Sequence, residues 1–296
     1  MVAELVCQKN DVVGESILWD HGTSSLIWID IVAKHIRRLH LESGYYESWE
    51  TPDFITSIGL RKDGGAVVGL TREVVLWDFG GSFKTLALPE PDIPDNRLNE
   101  GVVGPDGAFW VGTMQNNLNL DGSSREMDRS SGAVYRITSD GTVSALTKPT
   151  IGLTNTLVWM PDCRFVAGDT LANILTVYDY DDVANTITNP RPFAEPFDRG
   201  VPDGSCVDAE GYLWNCRVFG GACLVRYSPE GVVDRVVDLP CTWPTSCTFG
   251  GSDLDTLFIT SAQFTMTDEH LKSNPQEGGV FSFKPGVLGK PAFRFG

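Results

Sequence analysis

Six times along the chain, a short polar turn leads at once into a short apolar run with a bulky or aromatic residue in it. The runs are Leu26-Ile27-Trp28-Ile29-Asp30-Ile31, Ala66-Val67-Val68-Gly69-Leu70, Ala108-Phe109-Trp110-Val111-Gly112, Arg164-Phe165-Val166-Ala167-Gly168-Asp169, Tyr212-Leu213-Trp214-Asn215-Cys216 and Thr256-Leu257-Phe258-Ile259-Thr260. They recur at intervals of about 40 to 56 residues, and a repeat of that length built from short strands is the signature of a β-propeller with about four strands per blade. Six such blades use the whole of a 296-residue chain. One four-stranded sheet cannot bury both faces, whereas a closed ring of six can. The expected fold is therefore all-β: a six-bladed propeller of antiparallel strands in a single domain, residues 1–296, with the six runs as its inner strands. A partner strand follows each run, at residues 34–39, 74–78, 133–137, 174–180, 223–227 and 279–283. Ring closure requires both termini in one blade, and residues 4–8 and 292–295 are the extended segments suited to it. A large β-sandwich is the alternative, and it explains the sixfold recurrence less well.

Composition narrows the function. Lys+Arg is 23 against Asp+Glu 39, a net charge of −16, which repels phosphate backbones and argues against a nucleic-acid partner. No run of about 18 apolar residues is present, so no membrane span is expected. The first residues carry no basic segment followed by a long apolar core, which points to a cytoplasmic protein. The seven cysteines form an odd count without a CxxC pair and read as buried thiols. Gly (31) and Pro (17) punctuate the chain too often for long helices. Residues 116–131 read as a long surface loop.

Propellers bind ligands at a mouth of the central channel. Four polar stretches lie at strand entrances: Gly14-Glu15-Ser16, Asn96-Arg97-Leu98-Asn99-Glu100-Gly101, Thr154-Asn155 and Pro202-Asp203-Gly204. Glu15, Asn155 and Asp203 are oxygen donors on three different blades. Each also has an ordinary reading: a solvated loop carboxylate for Glu15, an αL-tolerant turn residue for Asn155, and a type I turn for Asp203. The Gly-x-Ser-x-Gly element of a serine hydrolase is absent.

Together these segments resemble the SMP-30/gluconolactonase/regucalcin family of six-bladed propeller lactonases. The likeness is carried by the four stretches above and by Phe109-Trp110-Val111-Gly112-Thr113-Met114, Gly211-Tyr212-Leu213-Trp214, Thr245-Ser246-Cys247-Thr248-Phe249-Gly250-Gly251 and Glu277-Gly278-Gly279-Val280-Phe281. It covers nearly the whole chain. The resemblance implies one divalent metal ion, Ca²⁺, Zn²⁺, Mn²⁺, Mg²⁺ or Fe²⁺, held by Glu15, Asn155 and Asp203. It implies that Asp203 doubles as a general base, and that Arg97 and Asn99 hydrogen-bond a sugar lactone, with Glu100 and Asn117 beside them. Two positions depart from the family pattern: Glu100 stands where Asp is common, and the amides Gln115-Asn116-Asn117 stand where some members place a Glu. Arg217 replaces a small or apolar residue and is expected either in a salt bridge or at the pocket rim, where it would favour an anionic or sulfo-sugar lactone. The expected activity is hydrolysis of an aldonolactone, by a monomer or small homo-oligomer. A non-catalytic Ca²⁺-binding propeller and a promiscuous esterase or organophosphate hydrolase are the alternatives.

Overall fold

A computed structural model describes residues 3–296; Met1 and Val2, part of the N-terminal segment read above for a leader, lie outside the described residues. The chain forms six four-stranded antiparallel sheets. Blades 1 to 5 each run inner to outer in sequence order, over residues 14–50, 55–87, 96–145, 154–192 and 201–238. Blade 6 takes three strands from residues 244–283, and the N-terminal strand Glu4–Gln8 completes it by pairing with Gly279–Phe283. The single α-helix of the described residues, Asp268–Ser273, is capped by Thr267 and lies in the blade 6 connection.

The core is a ring of seams. Each of six apolar clusters joins two neighbouring blades; Ile27 and Ile29 of blade 1, for example, pack with Ile58 and Val68 of blade 2. The last seam packs Ile17 and Trp19 of blade 1 against Phe258 and Val280 of blade 6 and so closes the ring. Blades 1, 3 and 5 share a buried latch. An aspartate accepts from an indole N–H and pairs with an arginine opposite that tryptophan: Asp11 with Trp28 and Arg37, Asp106 with Trp110 and Arg136, Asp208 with Trp214 and Arg226.

Two expectations are corrected. The six apolar runs are the second strands of their blades, not the innermost. The innermost strands are Gly14–Asp20, Ile55–Leu60, Asn96–Val103, Thr154–Met160, Val201–Val207 and Pro244–Gly250. Second strands have blade neighbours on both faces and read as continuously apolar. Innermost strands line the channel and carry its polar groups, so the segment from Asn96 reads as a loop although it is a strand. Residues 292–295 do not close the ring either, because the edge of Gly279–Phe283 is already taken by Glu4–Gln8. The tail instead straps the opposite face: Arg294 pairs with Asp20 at 2.6 Å, Phe295 bridges Arg61, and Gly296 donates to Gly107.

All six innermost strands break register at the same level, at Glu15/Leu18, Ile55/Ser57, Leu98/Gly101, Asn155/Leu157, Pro202/Ser205 and Pro244/Cys247. Bulges re-aim side chains. Here they hold Ser16 at φ 50° and the β-branched Thr156 at φ 52°, strained values for such residues. Glycine is required at two of these breaks by close approach. A Cβ on Gly101 would meet Ser57 Oγ, and one on Gly204 would lie 2.8 Å from Thr245 O.

Candidate active site at the channel mouth

The register breaks bring three carboxyls together from alternate blades: Glu15 from blade 1, Glu100 from blade 3 and Asp203 from blade 5. Each accepts the backbone N–H of the residue after it, Ser16, Gly101 or Gly204. Each is buried, with 8%, 8% and 6% of its surface exposed. Burial, reinforced by the charge of Cys247, pushes Glu15 up to about 7 against the pull of Arg97 and the Ser16 N–H. Burial and the negative charge of Glu15 push Glu100 well above the usual carboxylate range; burial, Glu15 and Glu100 do the same to Asp203. These mutual effects place the three acids in one cluster. Arg97 is the cation beside them, and burial lowers it to about 10 despite the attraction of Glu15.

An amide chain orients the rest. Thr170 Oγ1 donates to Pro202 O at 2.8 Å, so it must accept from Asn155 Nδ2, also at 2.8 Å. That fixes the Asn155 amide with Oδ1 turned towards Asn99, whose Nδ2 donates to it at 3.0 Å and to Thr154 O at 3.0 Å. Asn99 Oδ1 in turn accepts from Arg97 Nη1 at 2.7 Å. Asn117, from the long loop after the second strand of blade 3, accepts from Arg97 Nε and Nη2 at 3.0 and 2.9 Å. With Nη1 also donating to Leu98 O, one N–H of the guanidinium, on Nη2, is left for a ligand.

The loop that delivers Asn117 is tied down at both ends. Gln115 binds Asp128 and Arg129, while Arg125 and Arg129 both pair with Asp95. Leu118 inserts into the seam between blades 1 and 2.

Arg217 departs from the expectation of a free cation at the rim. It is 1% exposed, and its guanidinium is spent on Arg199 O, Asn215 Oδ1, Asn173 Oδ1, Phe197 O and Gly200 O. These bonds pin the segment entering blade 5, and among the described residues no carboxylate pairs with Arg217, so it is neither a free rim cation nor the salt-bridge partner expected.

Thr170 escaped the sequence reading. Its only sequence signal is a position just past the second strand of blade 4, in Gly168-Asp169-Thr170. Cys247 escaped it as well, as one of seven cysteines all read as buried thiols, although Cys163 is exposed and Cys7 and Cys206 are half-buried.

A cavity of about 680 Å³ fills the channel on the other side of the register breaks. Ser16, Glu100, Ser205, Ser246 and Cys247 line its upper end; Trp19, Trp159, Met160 and Phe249 line its walls, and Lys290 and Arg294 of the tail lie across it. Arg97, Asn99, Asn117 and Asn155 do not line it. The polar site and this cavity therefore meet at Glu100 and do not coincide, and the chemistry of the donors, not the volume, locates the site.

The donor set is all oxygen. Among the described residues no three His, Cys, Asp or Glu side chains are gathered tightly enough to hold a cation by themselves. A set of Glu15, Asp203 and the Asn155 amide uses only two such side chains. Three buried acids facing one arginine, with an amide oxygen fixed in direction, fit a hard divalent cation.

The family model of the SMP-30/Gluconolactonase/LRE-like region matches residues 13–263. The chain belongs to this family. It is 33% identical to regucalcin of Gallus gallus over 96% of this chain and 94% of the relative. It is 31% identical to L-arabinolactonase of Azospirillum brasilense over 99% and 95%. The structure of a calcium-binding protein, regucalcin, from Agrobacterium tumefaciens superposes with a TM-score of 0.88 at 27% identity, covering 98% of this chain and 97% of that one. Family membership accounts for the six-bladed architecture. No helix of the described residues is long and apolar enough to cross a membrane.

Proposed function

We propose that the chain is a metal-dependent sugar lactonase that opens an aldonolactone to the free acid. The observation that carries this reading is the acid cluster of Glu15, Glu100 and Asp203, short of countercharge and set beside an arginine with one uncommitted donor. Glu15, Asn155 and Asp203 would hold the cation, and Glu100 adds negative charge to the same space. A bound divalent cation supplies polarisation of the lactone carbonyl and acidification of water, an effect worth several kcal/mol.

The chain's own residues do the rest. Arg97 directs its remaining N–H at a ring hydroxyl, held in place by Asn117 and Asn99. Asp203 takes the proton of the attacking water on its carboxylate and returns it to the departing ring oxygen. Thr156 Oγ1 donates to the backbone carbonyl of Asp203 and anchors the strand segment that carries the carboxyl. L-Arabinolactonase among the relatives supports the sugar-lactone class. A calcium-binding propeller without catalysis would use the same acids, but it has no use for a buried arginine that keeps one N–H uncommitted beside them.

The deciding experiment is acid release in a pH-stat from a panel of γ- and δ-lactones, after chelation and after adding back Ca²⁺, Mg²⁺, Mn²⁺, Zn²⁺ or Fe²⁺. Chelator-sensitive release restored by one of these ions is expected. The absence of such release from every lactone overturns the reading.

Thr170→Val tests the amide orientation. It removes the acceptor that fixes Asn155, and outer partners of this kind are worth about 10–100-fold in metal affinity. Cation affinity by calorimetry is expected to fall by roughly tenfold with the fold intact. Unchanged affinity would show that Asn155 needs no such support.

A further inference from the structure

Three thiols from two neighbouring blades meet just beneath the acid cluster. Cys206 lies on the innermost strand of blade 5, Cys216 on its second strand, and Cys247 on the innermost strand of blade 6. The Cys206 and Cys247 sulfurs are 3.5 Å apart. Both residues line the channel cavity; Cys216 does not. The two strands come very close here: a Cβ on Gly204 would lie 2.9 Å from Ser246 Cα. Buried cysteines commonly pack as small hydrophobes. This pair differs in two respects at once, because its sulfurs lie 3.5 Å apart across a blade boundary and both residues line the channel cavity. All seven cysteines are free in this structure.

We propose that Cys206 and Cys247 form a modification site, a dithiol that a hydroperoxide entering the channel converts to a disulfide joining the innermost strands of blades 5 and 6. A disulfide requires a sulfur separation of about 2.05 Å, so closure from 3.5 Å draws the sulfurs together by about 1.5 Å. Cys247 acts first. Its sulfur lies 3.5 Å from that of Cys206 and donates to the Trp214 carbonyl at 3.7 Å, so Cys206 is the thiol placed to resolve it. The Cys247 sulfur attacks the peroxide, its own thiol proton leaves with the departing oxygen as water or an alcohol, and a sulfenic acid is formed. Cys206 then attacks the sulfenic sulfur, its proton leaves with the hydroxyl as a second water, and the disulfide is complete. Two thiols are oxidised and one peroxide O–O bond is reduced.

The cross-link closes a segment of 41 residues. Tethering a segment of that length stabilises the folded state against the open chain. It also fixes the strand on which Asp203 lies three residues before Cys206.

The test treats the full-length protein with hydrogen peroxide in slight excess and maps peptides without reduction. The expected result is one intramolecular Cys206–Cys247 cross-link, with a loss of two hydrogens that dithiothreitol restores. The melting midpoint should rise by roughly 5 °C in the oxidised form. Cys216→Ser should still form the cross-link, and Cys206→Ser should instead accumulate oxygen on Cys247. A cross-link to Cys216, oxidation confined to the exposed Cys163, or stepwise oxygen addition to Cys247 in the wild-type protein would each overturn the proposal. The readout is a mass, so it stands or falls independently of lactone hydrolysis.

Discussion

Asp203→Asn is expected to lower lactone hydrolysis by about a thousandfold in kcat, equivalent to about 4 kcal/mol of barrier, while leaving the propeller folded. The substitution changes shape hardly at all. Asn keeps an oxygen for the Gly204 N–H, and Gly204 is still needed where its neighbours crowd in from blade 6. What it removes is a negative charge that serves two purposes in the proposed mechanism, as a cation ligand and as the acceptor of the water proton. A loss that large with one isosteric change points to chemistry, because a purely structural aspartate would show its loss in stability. Here stability should move the other way. Asp203 is raised by burial and by repulsion from Glu15 and Glu100, so neutralising it relieves the cation-free protein, which should melt higher than the parent. Glu100→Gln relieves the same repulsion, retains Asp203, and is expected to keep far more activity. If Asp203→Asn retains activity within tenfold of the parent under saturating cation, Asp203 is neither base nor essential ligand.

The ring was legible in the sequence because its second strands are buried on both faces. A strand in that position must be apolar throughout and tolerates a large aromatic, as Trp28, Trp110 and Trp214 show, so its repeat survives in one chain without an alignment. The innermost strands were harder to see. They face the channel, carry Glu15, Arg97, Asn99 and Asn155, and change register midway, which destroys the two-residue alternation that identifies a strand. The same property that hides them as strands exposes them as a site: polar residues of matching type at matching positions in several blades have no reason to recur in loops. Glu15, Asn155 and Asp203 could therefore be singled out as candidates in advance, and Glu100 was placed with Arg97 and Asn99 on the substrate side, whereas the structure groups it with Glu15 and Asp203. Side-chain partners assembled by blade packing were not legible. Arg217 spends its guanidinium on carbonyls of residues 197–200 and on Asn173, and Thr170 acquires its importance only because Pro202 O and Asn155 flank it. The tail looked like a closing strand because it is short and extended, but pairing requires a free edge, and Glu4–Gln8 had already taken it.

With its cation chelated, the protein is expected to melt at a lower temperature at pH 8 than at pH 5, and adding cation back should raise the melting point far more at pH 8. The sign follows from Glu15. Its folded value, about 7, lies above the ordinary 4.5. Between those two values the folded state holds more protons than the unfolded one, so stability falls as pH rises from about 4.5 through about 7. Glu100 and Asp203 are displaced in the same direction. Glu15 alone accounts for a change on the order of 3 kcal/mol, or roughly 5 °C. Asp20 and Asp255, held low mainly by hydrogen bonds from Thr23 and Arg294 and from Lys284, titrate below this window and leave it unchanged. Asp11, raised by burial to about 7, adds a slope of the same sign. It belongs to the Trp28–Arg37 latch, however, and its share should not respond to cation. The response to added cation is therefore the diagnostic quantity. Cation and proton compete for the same carboxylates, so stabilisation by cation grows as the protons leave. Differential scanning fluorimetry at the two pH values, with and without chelator, measures it directly. Glu15→Gln should flatten both the pH slope and the cation response, whereas Asp11→Asn should reduce the slope alone. Equal stabilisation by cation at pH 5 and pH 8 would mean that the ion binds elsewhere and that the three acids are not its ligands.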